Sequence, residues 1–218
     1  VLSAVFFCQL FFAQSTASSN HGHEIDVVNI QELDPTILVD LRYSSKNNFL
    51  KKDMYGDLEE CFLRRKPAEM LCQANKHLKA SHPELRLLVF DGLRTRSVQT
   101  KLWDALDTIP ISERTQFVAD PKKGSIHNYG AAVDLTLALE NGSELDMGTR
   151  YDHFGELAFP VLEDSLIALG KLTDKQIENR RILRKVMTKA GFSTIESEWW
   201  HFDAFSYNET KNKYKIVE

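Results

Sequence analysis

Cysteine is scarce, with three in 218 residues. That excludes a scaffold built from disulfides and a zinc site built from four thiolates. Glycine (10) and proline (6) are few as well, which excludes a collagen-like or low-complexity chain. Neither sign of charge dominates. The 27 Lys+Arg face 31 Asp+Glu, a formal net charge of −4, so no overall field favours nucleic acid as the main partner. After the first residues no stretch is long and apolar enough for a membrane helix. What remains is an ordinary globular balance, 43% hydrophobic and 27% charged, in a chain long enough to bury a sizeable core.

Val1 to Ala13, VLSAVFFCQLFFA, carries no charge. The run is shorter than the roughly 20 residues a bilayer span needs. It fits the apolar region of a secretory signal peptide, with Ser15 and Ala17 as the small residues before a cut after Ala17. The basic start of such a peptide is missing from the numbering. The competing reading is a buried N-terminal strand or helix. The expectation is a signal peptide over 1–17 and one domain over 18–218, exported to a periplasm or secreted. Cys8 would leave with the signal. Cys61 and Cys72 would remain where disulfides persist, which makes them a possible disulfide, the alternative being two free buried thiols.

Ile37 to Leu41 and Leu85 to Phe90 read as strands. Tyr43 to Glu60 has no clear period and reads as a loop. A helix is expected to begin near Pro67, with Leu71, Ala74 and Leu78 as its apolar stripe, and to stop before Pro83. A second covers about Ser97 to Leu106. The segment ending at Ala138 is strand-like, and Asn141-Gly142 signals a hairpin. Thr173 and Gln176 form a capping box opening a helix with Leu183, Val186 and Met187 inward. Phe192 to Phe205 reads as a final strand. The pattern predicts an α+β single domain with a largely antiparallel central sheet and helices packed on one face.

Two segments carry chemistry, Ser125 to Asp134 and Glu198 to His201. Zinc accepts imidazole nitrogen and carboxylate oxygen. His127 and Asp134 are separated by small residues that leave room for a ligand. Asp134 stands between Val133 and Leu135, and a carboxylate there is costly unless a metal, an Arg or backbone hydrogen bonds satisfy it. His201 adds a second imidazole, and two His plus one carboxylate suffice for a catalytic zinc with an open position. Glu198 is then left as a base. Residues i and i+3 face opposite ways in a flat strand, so Glu198 and His201 need a twist, a bulge or a strand end to converge. The alternative is an aromatic-rich core strand with a satisfied histidine.

Taken with LVDLRY, DGLR, SIHNYGAAVDLTL, MGTRYD, NRRILRKVMTKAGF and EWWHF, the chain resembles the zinc D-alanyl-D-alanine dipeptidases of the vancomycin-resistance type. The S-x-H-x-x-G-x-A-x-D and E-x-W-H patterns carry the resemblance to zinc D,D-peptidases in general. MGTRYD and EWWH point to the dipeptidase branch. The resemblance implies one zinc per chain, held by His127, Asp134 and His201 in a cleft on the sheet. It implies Glu198 as catalytic base, Arg94 as transition-state stabiliser, and Asp152 as the partner of the substrate ammonium. Tyr43 and Ser125 would sit near the substrate, a small D,D-dipeptide from cell-wall precursors or their turnover. Ile126 stands where close relatives can carry a serine.

Two other functions fit the same residues. One is an exported zinc D,D-carboxypeptidase trimming peptidoglycan stems. The other is a zinc-containing binding module without catalysis, against which Glu198 and Arg94 argue, since a structural site needs no base. His21 and His23 read as tail residues and His77 and His82 as solvated. His153 reads as part of a surface loop, and Arg180, Arg181 and Arg184 as a solvated basic face.

Overall fold

A computed structural model describes residues 26–218. The expected signal segment 1–17, which includes Cys8, and the tail histidines His21 and His23 lie outside the described residues. A five-stranded sheet organises the rest, in the order β2 (Leu38–Val39), β4 (Leu85–Asp91), β5 (Ala132–Leu139), β7 (His201–Asp203) and β6 (Ser193–Thr194). Three of its pairings are antiparallel and β2–β4 is parallel, so the sheet is largely antiparallel but mixed. A small sheet joins β1 (Val27–Asn29) to β3 (Phe62–Arg64). The helices are α1 (Ile30–Leu33), α2 (Arg65–Ser81), α3 (Arg96–Asp104), α4 (Glu163–Ala168), α5 (Asp174–Lys189) and α6 (Tyr207–Lys213).

Side-chain alternation along the strands divides the sheet into a core face and a site face. Leu87 and Val89 of β4, Val133, Leu135 and Leu137 of β5, and Phe202 of β7 pack into one core with Leu71, Ala74 and Leu78 of α2 and Leu183, Val186 and Met187 of α5. The intervening residues of β5 and β7, Asp134, His201 and Asp203, therefore emerge together on the opposite face. Burial of such apolar side chains is worth about 1.5–3 kcal/mol each, which pins the register that delivers these polar groups. The expected helices are present. Thr173 and Gln176 do form the capping box of α5, and α2 stops one residue before His82-Pro83.

Several expectations need correction. Phe192 to Phe205 is not one strand but β6 and β7, with a turn between them carrying Glu198, Trp199 and Trp200. Asn141-Gly142 does make a turn, but the returning chain pairs only through one bridge, Ala138 to Glu144. The antiparallel neighbours of β5 are β4, which precedes it, and β7, reached only after α4 and α5. No Cys61–Cys72 disulfide forms: both thiols are free. Cys61 is buried and turned towards Gly92, where an added Cβ would lie 2.5 Å from its Sγ, whereas Cys72 sits half-buried on α2. Arg180 is no surface residue. It is 1% exposed, inside the contact between α5 and the loop before α4.

Candidate metal centre and its cleft

His127 sits on a single 3-10 turn, Ile126–Tyr129. Ser125 caps that turn, its Oγ accepting the His127 N–H at 3.3 Å, while Asn128 Oδ1 accepts the Ser125 N–H at 2.7 Å. Gly130 ends it at φ +71°, and a Cβ there would come within 3.2 Å of the Arg64 backbone nitrogen. Only a residue without a side chain lets the chain reverse so close to β3 and enter β5. Asp134 follows on β5, directly opposite His201 on β7 in the ladder.

Three atoms converge. His127 Nε2 is 3.2 Å from His201 Nδ1 and 3.3 Å from Asp134 Oδ1, and His201 Nδ1 is 2.9 Å from Asp134 Oδ1. The outer nitrogens settle the tautomers. His127 Nδ1 lies 2.7 Å from the Gly92 carbonyl, which can only accept, so Nδ1 carries the proton. His201 Nε2 lies 2.9 Å from Asp203 Oδ1 and donates to it. With both rings neutral, two imidazole lone pairs and a carboxylate oxygen thus face one point, a place for which a proton on His201 Nδ1 competes with a metal ion. Such a set requires a cation. Its edges also match a tetrahedral ion, since bonds of about 2.0–2.1 Å place ligand atoms roughly 3.3 Å apart. Among the described residues this is the one group with metal-ligand chemistry and spacing.

The supports around the three are themselves polar. Tyr151 donates its hydroxyl to Asp134 Oδ2 at 2.9 Å, leaving Oδ1 turned inward. Burial alone would raise the Asp134 carboxyl, but the facing imidazoles of His127 and His201 outweigh it and hold it far below the usual range. For His201, burial works downward, while the bonds to Asp134 and Asp203 outweigh it and raise the imidazole well above its ordinary value. Such outer partners fix ring orientation and ligand basicity.

Glu198 lies in the turn before β7, its carboxylate 4.0 Å from His201 Nδ1. Buried Trp199 and Trp200 follow it, so the turn is anchored by two large aromatic side chains. The turn resolves the i,i+3 problem, because Glu198 precedes the strand that His201 begins. Burial raises the Glu198 carboxyl, His201 opposes this, and Asp134 adds to it. Arg94 is buried, donating Nε to Asp91 Oδ2 at 2.9 Å and Nη1 to Gln99 at 3.1 Å. Its Nη2 lies 3.9 Å from Asp134 Oδ2, and its guanidinium stacks 5.1 Å over the Tyr43 ring. Asp152 takes a left-handed backbone conformation, φ +58°, and accepts the Tyr43 hydroxyl at 3.0 Å. Burial, then the nearby Asp134 charge, raises its carboxyl well above the usual range.

The metal set, Glu198, Arg94 and Asp152 open into one cleft of about 750 Å³, walled by Phe117, Phe154 and Phe159. The structure gathers Tyr43, Arg94, Ser125, His127, Asp134, Asp152, Glu198 and His201 there. Cys61 and Cys72 lie elsewhere. His153, expected in a surface loop, also lines the cleft. Sequence reading missed Tyr151, Asp203 and Asp91. Asp203 had a signal, since position i+2 shares a strand face with His201. Tyr151 stood beside Asp152 in MGTRYD, but its reach across to β5 had none.

A family model for D-ala-D-ala dipeptidase (Peptidase_M15) matches residues 23–216. The D-alanyl-D-alanine dipeptidase of Escherichia coli strain K12 is 30% identical over 82% of this chain and 84% of its own length. That of Enterococcus faecium is 30% identical over 82% of this chain and 91% of its own. Among solved structures, VanYB in complex with D-Alanine-D-Alanine aligns over 70% of this chain and 76% of its own, at 15% identity and a TM-score of 0.41.

Proposed function

The chain belongs to the D-Ala-D-Ala dipeptidase family, and on that premise we propose that its cleft hydrolyses D-alanyl-D-alanine to two D-alanines with one zinc ion. The observation that carries the reading is the convergence of two imidazole lone pairs and a carboxylate oxygen beside Glu198, with Asp152 in the same cleft. His127, Asp134 and His201 would hold the metal. When bound, zinc supplies Lewis acidity towards the scissile carbonyl and the attacking water.

The remaining chemistry falls to the protein. Glu198 takes a proton as water oxygen bonds to the carbonyl carbon, and its raised pKa suits it to give that proton to the leaving amine as the C–N bond breaks. Arg94 is preorganised by Asp91 and Gln99 and carries its charge to the face where the carbonyl oxygen becomes negative. Asp152, oriented by Tyr43, pairs with the substrate ammonium. An acylated amine offers no cation there and leaves the buried carboxylate unpaired, which disfavours longer peptides. Ser125 acts chiefly through His127, by capping its turn.

The apolar run Val1 to Ala13 supports export, with the enzyme acting on cell-wall precursors or turnover products. Mass measurement of the mature N-terminus tests this part. No helix among the described residues is long and apolar enough to cross a membrane. The decisive experiment is a dipeptide panel, D,D against L,L and L,D, with and without chelator, beside a stem pentapeptide. Chelator-sensitive turnover of D-Ala-D-Ala is expected. Preference for the pentapeptide would turn the reading to a carboxypeptidase, and bound zinc with no turnover to a binding module.

A further inference from the structure

Arg180 is the largest fully buried side chain among the described residues, yet it touches neither metal ligands nor cleft. Its guanidinium donates Nε to the Met147 carbonyl at 2.7 Å and Nη2 to the Leu157 carbonyl at 2.8 Å. Those carbonyls mark the two ends of the segment that carries Thr149, Tyr151 and Asp152. Each of the three is tied to the site. Thr149 Oγ1 accepts the Trp199 indole N–H at 2.7 Å, Tyr151 donates to Asp134, and Asp152 accepts from Tyr43. The guanidinium also lies 5.7 Å over the Trp199 ring, next to Glu198 in sequence.

A guanidinium is costly to bury unless it is well paired. Arg180 is not well paired with carboxylate. Glu163 Oε1 is 3.6 Å from Nη1, and the shorter bond of Glu163, 2.6 Å, goes to Arg184. Both Arg180 Nη1 and Glu163 Oε1 lack a hydrogen-bond partner. Arg180 instead directs two of its donors at backbone carbonyls ten residues apart, a bidentate clamp that the planar fork can make and a lysine cannot.

We infer that Arg180 is a positioning residue for substrate recognition: it clamps the ends of the 147–157 loop and so holds Asp152 where the substrate ammonium must bind. The inference rests on the dipeptidase reading for its substrate. Loosening the clamp leaves the backbone of β5, β7 and the 3-10 turn, which carry the metal ligands, in place, and reaches Asp134 only through the Tyr151 hydroxyl. It costs binding of the free amine, because Asp152 holds a left-handed conformation that surrounding contacts must enforce.

The test uses R180K and R180Q in the zinc-loaded full chain. The Gln variant removes the buried charge and keeps one donor, so it reports even where R180K does not fold. Expected are wild-type zinc content, faster amide exchange confined to 147–157, and a KM for D-Ala-D-Ala raised roughly tenfold, as loss of a charge-assisted bond predicts, with kcat changed less. The preference for D-Ala-D-Ala over its N-acetyl form should narrow. A lowered melting temperature with unchanged KM and unchanged preference would make Arg180 merely structural and overturn the inference. Absence of turnover in the wild type refutes the dipeptidase reading instead. Amide exchange over 147–157 then still decides the clamp, unchanged exchange overturning it.

Discussion

Asp203→Ala removes the acceptor behind His201 without touching the three converging atoms. The lost bond, His201 Nε2 to Asp203 Oδ1 at 2.9 Å, joins side chains only 11% and 15% exposed. A hydrogen bond to a charged group in such a place contributes about 1.5–3 kcal/mol, and partners of metal-bound histidines are worth about 10–100-fold in affinity. The two ranges agree, since tenfold is about 1.4 kcal/mol. A further effect sets the pH dependence. Asp203 also helps raise the metal-free imidazole above its ordinary pKa, so a proton competes with the metal for Nδ1. Removing Asp203 weakens that competitor too. Below the raised pKa of His201 the two losses partly cancel, and the variant should sit near the tenfold end. Above it the proton no longer competes, so the full loss shows. Zinc affinity measured by competition with a chromophoric chelator, from about pH 6 to 9, should therefore show a deficit that widens as pH rises. A deficit under twofold throughout, or one that narrows with rising pH, would refute the reasoning.

Glu198→Ala should keep its zinc and lose about 10²–10⁴ in kcat; full activity would remove Glu198 as the base. In the wild type, kcat/KM should fall on the acid side with a pKa above that of a free glutamate, since burial raises the Glu198 carboxyl and only its ionised form accepts a proton. Asp152→Asn should narrow the preference for a free amine and raise the melting temperature at neutral pH. A carboxyl whose folded pKa is raised costs stability once pH exceeds the unfolded value of about 3.9, so its removal relieves a cost that differential scanning calorimetry can read. His127→Ala should abolish stoichiometric zinc binding by metal analysis, and unchanged content would exclude it as a ligand.

Local signals were legible in the sequence. The capping box at Thr173, the apolar stripe of α2 and the run from Leu85 to Phe90 each depend on neighbours within a few residues. The convergence of His127, Asp134, His201 and Glu198 was legible because a metal set needs particular side-chain types, and few positions offered them. What escaped depends on the sheet. Apolar Val133 and Leu135 mark Asp134 as the odd residue of its strand, but only the β5–β7 ladder sets it opposite His201, 67 residues away. Arg180 looked like a solvated charge because Arg181 and Arg184 follow it in sequence. Its burial depends on carbonyls at 147 and 157, whose position no local pattern encodes.

The charges of the cleft argue for what it must receive. Asp91 and Arg94 neutralise each other, bound together in the interior. Asp134, Glu198 and Asp203 then crowd around two imidazoles, with Asp152 close enough that Asp134 and Glu198 each raise its carboxyl. Hydrogen bonds from Tyr43 and Tyr151 orient these carboxylates but supply no positive charge. A dication among His127, Asp134 and His201 would offset half of the four negative charges, and an ammonium at Asp152 would offset another. The last belongs to Glu198, which as the proposed base would be neutralised each time it took a proton from water. The −4 of the whole chain says nothing of this. On the proposed reading, selectivity would come instead from a carboxylate held beside other carboxylates, so that a substrate without a cation would be refused where it binds.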